Sequence, residues 1–322
     1  MKVLLAGASG AIGIPLARQL IAHDHQVLGL TRSHAGAGRL AALGARPVVA
    51  DALDRDSLLR AVDGLAADAV IHELTALKKP PRKHSGMALT DRLRTEGTTN
   101  LLAAAEVLGA KRFLTQSLIL GYGYRDHGAR VLTEQAPFGR PAGDRCDPHV
   151  AAMRSTEQQA FTAPEGIAMR YGLLYGGDAE QMRALLAKRG LPVATGGVLG
   201  WIHHQDAVAA TVAALEHGRA GQAYNLVDDR PASWQEVFTA MAEAFGAPPP
   251  RKLPTWLFRL VAPYVASFAI ETSMRVSNAK AQTELGWRPM FPTYHKGIQA
   301  MVSPTPARSE GSRFLRSAER HR

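Results

Sequence analysis

Three glycines near the start of the chain have the spacing that a nucleotide site requires. Gly7, Gly10 and Gly13 follow a strand-length apolar run, and an apolar helical pattern begins immediately after them. In such a loop the first glycine permits a tight turn, the second lets backbone N–H groups approach a pyrophosphate, and the third lets the helix pack closely on the strand. The N–H groups and positive dipole end of that helix favour a diphosphate. The sequence therefore predicts a dinucleotide-binding βαβ unit, which a second apolar run at 26–30 completes.

The residues after that second run indicate which dinucleotide binds. An NAD site usually has Asp or Glu there, about 20 residues beyond the glycines, to accept from the ribose 2′-hydroxyl. Here the residues are Thr31, Arg32, Ser33 and His34, with Arg39 further on. A guanidinium suits a 2′-phosphate through paired, charge-assisted hydrogen bonds. We therefore expect NADP(H) as the preferred cofactor and NAD(H) as the alternative; the competing interpretation of Arg32 is a solvated loop residue.

The elements that must position this loop follow in regular order. Apolar runs predict strands at 46–50, 69–72 and 112–117, and helical patterns alternate with them, the longest at 88–108. Such alternation predicts a parallel sheet with helices on both faces, an α/β fold of the Rossmann-type, doubly wound class. Asp51, at the end of the third strand, is predicted to accept from the adenine amine, and Asp54 is predicted to be the N-cap of the helix that follows.

Composition limits the class of protein. The chain has 322 residues, of which 46% are hydrophobic and 20% charged, as in an ordinary globular protein. Its single cysteine, Cys146, excludes an intrachain disulfide and a cysteine metal site, and the histidines show no metal-ligand spacing. We expect no metal.

The net charge of +10 does not by itself indicate nucleic acid. Much of it lies in a basic run at 78–84, predicted as a loop, and in the segment after Ser303. An anionic cofactor is a sufficient partner for this positive charge. The sequence shows no basic patch with interleaved aromatic residues, which nucleic-acid binding would favour. No signal peptide and no run of membrane-spanning length is recognisable. We therefore expect a cytoplasmic protein with a small-molecule substrate and neither a nucleic-acid nor a membrane partner.

Several segments together resemble the extended short-chain dehydrogenase/reductase superfamily, in particular its NAD(P)-dependent epimerase/dehydratase branch. The resemblance covers about residues 1–300. Beyond the three glycines, the segments that carry it are Gly97-Thr98-Thr99-Asn100-Leu101-Leu102, Met169-Arg170-Tyr171-Gly172-Leu173-Leu174-Tyr175-Gly176, Trp201 to Val208, Tyr224-Asn225-Leu226-Val227 with Ser233-Trp234, and Glu284-Leu285-Gly286-Trp287-Arg288-Pro289. From the residues alone, Asp206 and Ser233 are candidate helix N-caps, Gly286 a helix stop and Trp287 a core residue.

The resemblance implies a domain organisation. An NAD(P)-binding Rossmann domain is expected at 1–176, its sheet completed by about 198–228. A smaller, discontinuous substrate-binding part is expected at 177–197 and 229–302, followed by a disordered basic tail at 303–322. Many relatives form homodimers through the long helices near 90–108 and 150–163, so the resemblance also implies a homodimer.

The family's usual proton relay is missing. Its members use a Tyr-x-x-x-Lys pair as general acid/base, with a Ser or Thr that orients the carbonyl. Register from Glu157 puts His149 at the Tyr position and Met153 at the Lys position, and no tyrosine in this chain has a lysine four residues later. Alignment through the loop that follows the fifth strand puts Leu118 at the Ser position, with Ser117 just before it.

Three candidate catalytic residues remain, each with a structural alternative. His149 is predicted as the proton donor because imidazole titrates in the right range; alternatively it is a polar residue at a helix start. Tyr122, with Tyr124 nearby, could polarise a carbonyl or pack over the nicotinamide, and Ser117 could do the first or merely cap the strand end. The cofactor contacts are predicted at Gly7, Ser9, Gly10, Ala11, Ile12, Gly13, Thr31, Arg32, Asp51, Ala52, Leu53, Leu74, Gln116, Arg170, Tyr171 and Gly172.

Three functions are compatible with these patterns. The first is an NADP(H)-dependent oxidoreductase that reduces a small carbonyl or related unsaturated compound with a degenerate Tyr-x-x-x-Lys site. The second is a non-catalytic NADP-binding sensor, which the missing pair would allow. The third is an NAD-dependent sugar-nucleotide epimerase or dehydratase, which normally needs both the pair and tightly held NAD. We expect the first.

Overall fold

The structure is a computed structural model that describes residues 1–77, 81–188 and 191–303. The predicted disordered tail therefore lies, apart from Ser303, outside the described residues, and so do residues 78–80 of the basic run. No helix within the described ranges is both long and apolar enough to cross a membrane.

The core of the fold is a seven-stranded parallel sheet. The strands of the described chain are β1 (Lys2–Ala6), β2 (Gln26–Thr31), β3 (Arg46–Val49), β4 (Ala69–His72), β5 (Arg112–Leu118), β6 (Asp126–Leu132), β7 (Glu165–Tyr171), β8 (Leu173–Tyr175), β9 (Val198–Leu199), β10 (Trp201–His203), β11 (Gln222–Leu226), β12 (Ala232–Ser233) and β13 (Ser273–Val276). The strand order in the sheet is β11-β7-β5-β4-β1-β2-β3. This arrangement confirms the predicted Rossmann-type α/β fold.

Helices cover both faces of the sheet. The helices of the described chain are α1 (Gly13–Ala22), α2 (His34–Ala42), α3 (Arg55–Val62), α4 (Ala88–Arg92), α5 (Thr98–Leu108), α6 (Asp147–Ala160), α7 (Ala179–Ala187), α8 (His204–His217), α9 (Trp234–Ala244), α10 (Thr255–Val261), α11 (Pro263–Ala269), α12 (Ala279–Glu284) and α13 (Tyr294–Val302). The predicted helix at 88–108 consists of α4, a π-helical turn at Leu93–Gly97 and α5 in succession. Apolar residues of α1 and α8 pack on one face of the sheet, and those of α3 and α5 pack on the other.

The later part of the chain adds a third apolar cluster. Strand β9 pairs with β12, and β13 pairs with β6. None of these four strands belongs to the main sheet. Trp201, Trp234, Phe238 and Phe268 lie in this cluster, with Trp201 and Trp234 ring centroids 6.1 Å apart. Substrates of two-part α/β proteins usually bind in the crevice between such a cluster and the sheet edge.

Local cap predictions are tested by individual hydrogen bonds. Asp54 caps α3 by accepting from the Ser57 N–H, and Ser233 caps α9 in a capping box with Glu236. Gly286, with φ +64°, follows the end of α12 as the predicted stop.

The prediction that Asp206 caps a helix is wrong. His203 caps α8, and the Asp206 carboxylate instead accepts from the backbone N–H groups of Met290 and Phe291, at 2.6 and 3.0 Å. Asp206 lies inside the first turn, so its side chain points away from the helix end and holds the segment before α13. Trp287 is 5% exposed and belongs to the core, as predicted.

Candidate active site

The strand order creates a crevice beside β1. The chain proceeds from β1 outward through β2 and β3 on one side, and from β4 outward through β5, β7 and β11 on the other. Loops that leave the carboxyl ends of β1 and β4 therefore diverge, and ligands of open α/β sheets bind at this switch point. The predicted glycine loop follows β1, so it lies at this crevice.

Two glycines of the loop have conformations or contacts that no other residue could adopt without displacement. Gly7 has φ +88°, and a Cβ atom there would lie 2.7 Å from the Glu73 carbonyl oxygen. A Cβ atom at Gly13 would lie 2.1 Å from the Gly7 carbonyl oxygen. These features match the predicted tight turn and close helix packing. Gly10 is exposed, and its predicted approach to a pyrophosphate stays a prediction.

The first turn of α1 has the properties of an anion site. Its N-cap, Ile12, offers no side-chain cap, and the turn contains no acidic residue. The next two helices, in contrast, are capped by Ser33 and Asp54. The orphan N–H groups at the start of a helix are donors for a phosphate when no side chain satisfies them. The residues present therefore fit the diphosphate of a dinucleotide.

The ends of β2 and β3 bring Arg32 and Asp51 together. The Arg32 guanidinium lies 3.9 Å from the Asp51 carboxylate, and the two side chains are 60% and 41% exposed. An exposed pair of this kind is worth little to stability, so the guanidinium is free to engage a ligand. Thr31 and Ser9 join the same edge through a hydroxyl–hydroxyl hydrogen bond of 3.1 Å.

Backbone hydrogen bonds hold three further predicted cofactor residues at this edge. The Leu53 N–H donates to Asp51 Oδ1 at 3.0 Å, and the Ala52 carbonyl accepts from Asn100 Nδ2 at 2.8 Å. The Leu74 N–H donates to His72 Nδ1 at 3.2 Å. These bonds hold the loops after β3 and β4 in place around the crevice.

Other predicted cofactor residues are buried. Arg170 forms an ion pair of 2.7 Å with Glu157, both nearly inaccessible. The Tyr171 hydroxyl donates to Glu73 Oε1 at 2.9 Å. Gln116 is 8% exposed inside β5. A Cβ atom at Gly172 would lie 2.9 Å from the Gly200 carbonyl oxygen.

The hydroxyl of Tyr122 is engaged by the protein itself. The side chain is 1% exposed. Its hydroxyl lies 2.8 Å from Asn225 Oδ1 and 3.1 Å from the Thr133 carbonyl, and it accepts from Arg170 at 3.0 Å. These contacts favour a structural role over the predicted catalytic one. Ser117 is fully buried, and its Oγ has no hydrogen-bond partner among the described residues.

His149 lies in a hydrogen-bonded row that the sequence did not reveal. Its Nδ1 is 2.7 Å from Asp91 Oδ2, and its Nε2 is 3.1 Å from Nδ1 of His84. The Tyr264 ring packs edge-on against both imidazoles, with centroids 5.3 and 5.4 Å away. Met153, one turn further along α6, is fully buried in the apolar cluster. Burial, with the neighbouring His149 next in importance, lowers the pKa of His84.

Glu73 was also missed by the sequence analysis. It follows β4 directly, beside Gly7, and is 7% exposed, with Oε2 lacking a partner among the described residues. Burial raises the pKa of this carboxyl to about 8, against the opposing hydrogen bond from Tyr171. An acidic residue at the end of a strand carries no sequence signal that separates a buried carboxylic acid from an exposed carboxylate.

The comparisons with known proteins agree with this crevice. The model of the NAD dependent epimerase/dehydratase family matches residues 3–226, most of the chain. The chain belongs to this family. It is accordingly an NAD(P)-dependent oxidoreductase, and the family resemblance found in the sequence is confirmed.

Several curated relatives are named as reductases. A 3-diazoavenalumate denitrifying reductase from a Streptomyces species is 37% identical over 92% of this chain and 99% of its own length. A 2-alkyl-3-oxoalkanoate reductase from Stenotrophomonas maltophilia is 27% identical over 77% of each chain.

Solved structures support the fold. A dTDP-glucose 4,6-dehydratase from Streptomyces venezuelae, described with NAD bound, has a TM-score of 0.74 at 22% identity and covers 94% of this chain and 96% of its own. At that identity the likeness concerns the fold alone.

Proposed function

We propose that this protein is an NADP(H)-dependent reductase of a small unsaturated compound, a carbonyl compound in the first instance. The observation that carries the proposal is the uncapped first turn of α1 together with the exposed Arg32 guanidinium at the end of β2. The first provides donors for a diphosphate, and the second provides a cation where a 2′-phosphate would lie.

Each part of the cofactor has candidate residues on this chain. Backbone N–H groups between Gly7 and Gly13 bind the diphosphate, Arg32 with Thr31 binds the 2′-phosphate, and Asp51 accepts from the adenine amine. The bound nicotinamide supplies a hydride. Because the switch point lies between β1 and β4, the residues that follow β4 and β5 would border the nicotinamide half; His84 follows β4, and α6, which carries His149, packs on β5.

Carbonyl reduction needs a proton as well as a hydride. The hydride adds to the carbonyl carbon, the C–O π bond breaks, and the oxygen takes the proton, which gives an alcohol. A general acid must supply this proton in place of the family's tyrosine. The row that contains His149 is the candidate source, since Met153 and the engaged Tyr122 hydroxyl offer none.

A second candidate function is the denitrifying reduction of a diazo compound. The observation that favours it is the 37% identical relative, whose name states that activity and whose length this chain covers almost entirely. The reaction also balances with one hydride and one proton: the C=N₂ carbon ends with two new C–H bonds, and dinitrogen leaves. The same cofactor site and the same proton source would serve both reactions.

One experiment tests the proposal and separates the two candidates. NADPH and NADH oxidation is followed with aldehydes, ketones, enones and aryldiazomethanes, and released dinitrogen is measured by mass spectrometry with a heavy-nitrogen label. Turnover with NADPH preferred is the expected result; alcohol without dinitrogen supports the first candidate, and dinitrogen supports the second. Tight NADPH binding without turnover would instead indicate the non-catalytic sensor, and turnover that requires NADH would refute the NADP(H) assignment.

The predicted homodimer and cytoplasmic location stay predictions. Light scattering coupled to gel filtration tests the first: we expect the mass of two chains, and the mass of one would contradict it.

A further inference from the structure

Three side chains from separate elements form one row of hydrogen bonds. Asp91 comes from α4, His149 from the first turn of α6, and His84 from the short 3₁₀ turn that precedes α4. The Asp91–His149 contact measures 2.7 Å and the His149–His84 contact 3.1 Å, and the two imidazole planes differ by only 5°. The histidines are 65 positions apart in the sequence.

The protonation state of the neutral row follows from its first member. A carboxylate only accepts hydrogen bonds, so His149 must carry its proton on Nδ1 and donate it to Asp91. Nε2 of His149 then carries a lone pair that accepts a hydrogen bond, and His84 must donate to it from its own Nδ1. The remaining nitrogen, Nε2 of His84, is consequently the one ring atom in the row left to exchange a proton with another molecule.

The exposed fractions agree with this order. The His149 side chain is 4% exposed and has both ring nitrogens engaged, so it cannot reach a substrate while these bonds persist. His84 is half-buried. Its Nε2 lies 3.4 Å from Ser267 Oγ on α11, a long contact, and that hydroxyl also lies 3.1 Å from the Pro263 carbonyl. Nε2 of His84 therefore faces the later part of the chain, at the side where substrate is expected.

We propose that His84 is the catalytic acid of the reductase and that His149 and Asp91 are positioning residues behind it. The inference rests on the proposed reductase function. The cationic His84 transfers its Nε2 proton to the substrate as the hydride arrives, while its Nδ1–H keeps donating a hydrogen bond to His149 Nε2. His84 ends neutral in the tautomer that Asp91 and His149 impose, and a proton from water restores the cation. The row thus replaces the tyrosine and lysine with groups from three elements.

The groups around His84 determine the direction of its pH dependence. Asp144, Arg145 and Cys146 lie before α6, Tyr124 and Tyr264 pack against the histidines, and Arg94 lies 3.7 Å from Asp91. Burial, the neighbouring His149 and the charge of Arg145 lower the pKa of His84, while a hydrogen bond to the Arg145 backbone carbonyl and the charge of Asp144 oppose them. The proton donor is the cationic form, which is populated below this pKa. The rate should therefore fall as pH rises through it.

The first experiment reads the tautomers without any substrate. Nitrogen-labelled histidine NMR of the full chain, above the pH at which His84 titrates, should show His84 and His149 each protonated on Nδ1. Substitutions His84→Gln and His149→Gln assign the signals. A neutral His84 protonated on Nε2 would overturn the proposal, because the row would then run in the opposite direction.

The second experiment measures turnover of para-nitrobenzaldehyde, or of the panel compound that the wild type reduces fastest. His84→Gln should lower kcat by about 100-fold or more, the usual contribution of a general acid, with the NADPH dissociation constant changed less than twofold. Asp91→Asn should move the pH midpoint of kcat downward, because it removes the anion that stabilises the cation, and leave KM unchanged. The matched control is His217→Gln, an exposed histidine at the far end of α8, which should alter neither.

The outcomes separate this proposal from the function on which it rests. If neither NADPH nor NADH binds to folded wild type, the reductase function fails, whatever the tautomers. If NADPH is oxidised and His84→Gln retains the wild-type rate and pH profile, the relay fails and the reductase stands. If no probe is reduced, the tautomers alone decide the relay.

Discussion

The two ends of the cofactor crevice are built on different principles. At the end near β2 and β3, the site consists of backbone N–H groups, glycines and exposed side chains such as Arg32. At the end near β4 and β5, our proposal assigns the site to side chains that are hydrogen-bonded to one another: Asp91 with His149, and His149 with His84. The first end keeps the family's pattern, and the second departs from it.

The difference shows what each kind of site demands. A backbone site needs only small residues at a few positions, so its sequence pattern is short and recognisable. A side-chain site needs several groups in mutual contact, and different groups can fill the same space with a different connectivity. His149 and Met153 stand where tyrosine and lysine are expected, and the replacement acid, in our proposal, comes from another element.

The largest effect is expected at Gly13, at the backbone end. A Cβ atom there would meet the Gly7 carbonyl oxygen at 2.1 Å, so Gly13→Ala must displace α1 from the loop. We expect about 3 kcal/mol of destabilisation and loss of detectable NADPH binding, measured by denaturant unfolding and calorimetry. The control is Gly38→Ala in α2, where nothing lies within 4 Å of the added atom. It should stabilise slightly; equal losses in both variants would contradict the assigned role of Gly13.

The next effect sharpens the contrast at the side-chain end. Met153→Lys restores the family's residue but places an ammonium at a fully buried position in an apolar cluster. We expect about 2–3 kcal/mol lower free energy of unfolding, greater at low pH, where the amine must ionise on unfolding, and no gain in reductase rate. Met153→Leu, the control, should cost less than about 1.5 kcal/mol. A stable, more active lysine variant would show that the family's relay is still accommodated here.

Glu73 lies between the two ends and should give a pH-dependent stability. Its pKa is raised to about 8 in the folded protein from 4.5, so between these values the folded state holds a proton that the unfolded state has released. Stability must therefore fall as pH rises through this window. Relative to Glu73→Gln, the wild type should lose about 2 kcal/mol between pH 5 and pH 7, at roughly 1.4 kcal/mol per unit, in denaturant titrations. Parallel curves for the two proteins would place the carboxyl outside the core.

The smallest effect concerns Arg32, which is exposed and, in our proposal, binds the 2′-phosphate. Arg32→Asp should weaken NADPH by about tenfold or more, the loss of a charge-assisted bond, and leave NADH within threefold. Arg18→Asp, on the exposed side of α1, changes the net charge equally and should not discriminate. Calorimetric titration of the wild type and both variants with NADPH and with NADH measures the dissociation constants. Equal weakening of NADPH and NADH would refute the 2′-phosphate assignment.

The parts that sequence reasoning predicted are those whose signals are local. The glycine loop, the strand alternation, the Asp54 and Ser233 caps and the stop at Gly286 each depend on residues within a turn or two of one another. Asp206 shows the limit of this reasoning. Its place at a helix start suggested a cap, but its partners, Met290 and Phe291, come from 84 and 85 positions away.

By itself, the order of residues determined the α/β class, the dinucleotide loop and the absence of the usual Tyr-x-x-x-Lys pair, because periodicity and spacing act along the chain. Only the tertiary structure decided that the Tyr122 hydroxyl is engaged in the interior, that Glu73 is a buried acid, and that His149 stands between Asp91 and His84. Hydrogen bonding and desolvation depend on distances between groups that folding brings together. Those distances cannot be read from the sequence positions of the groups.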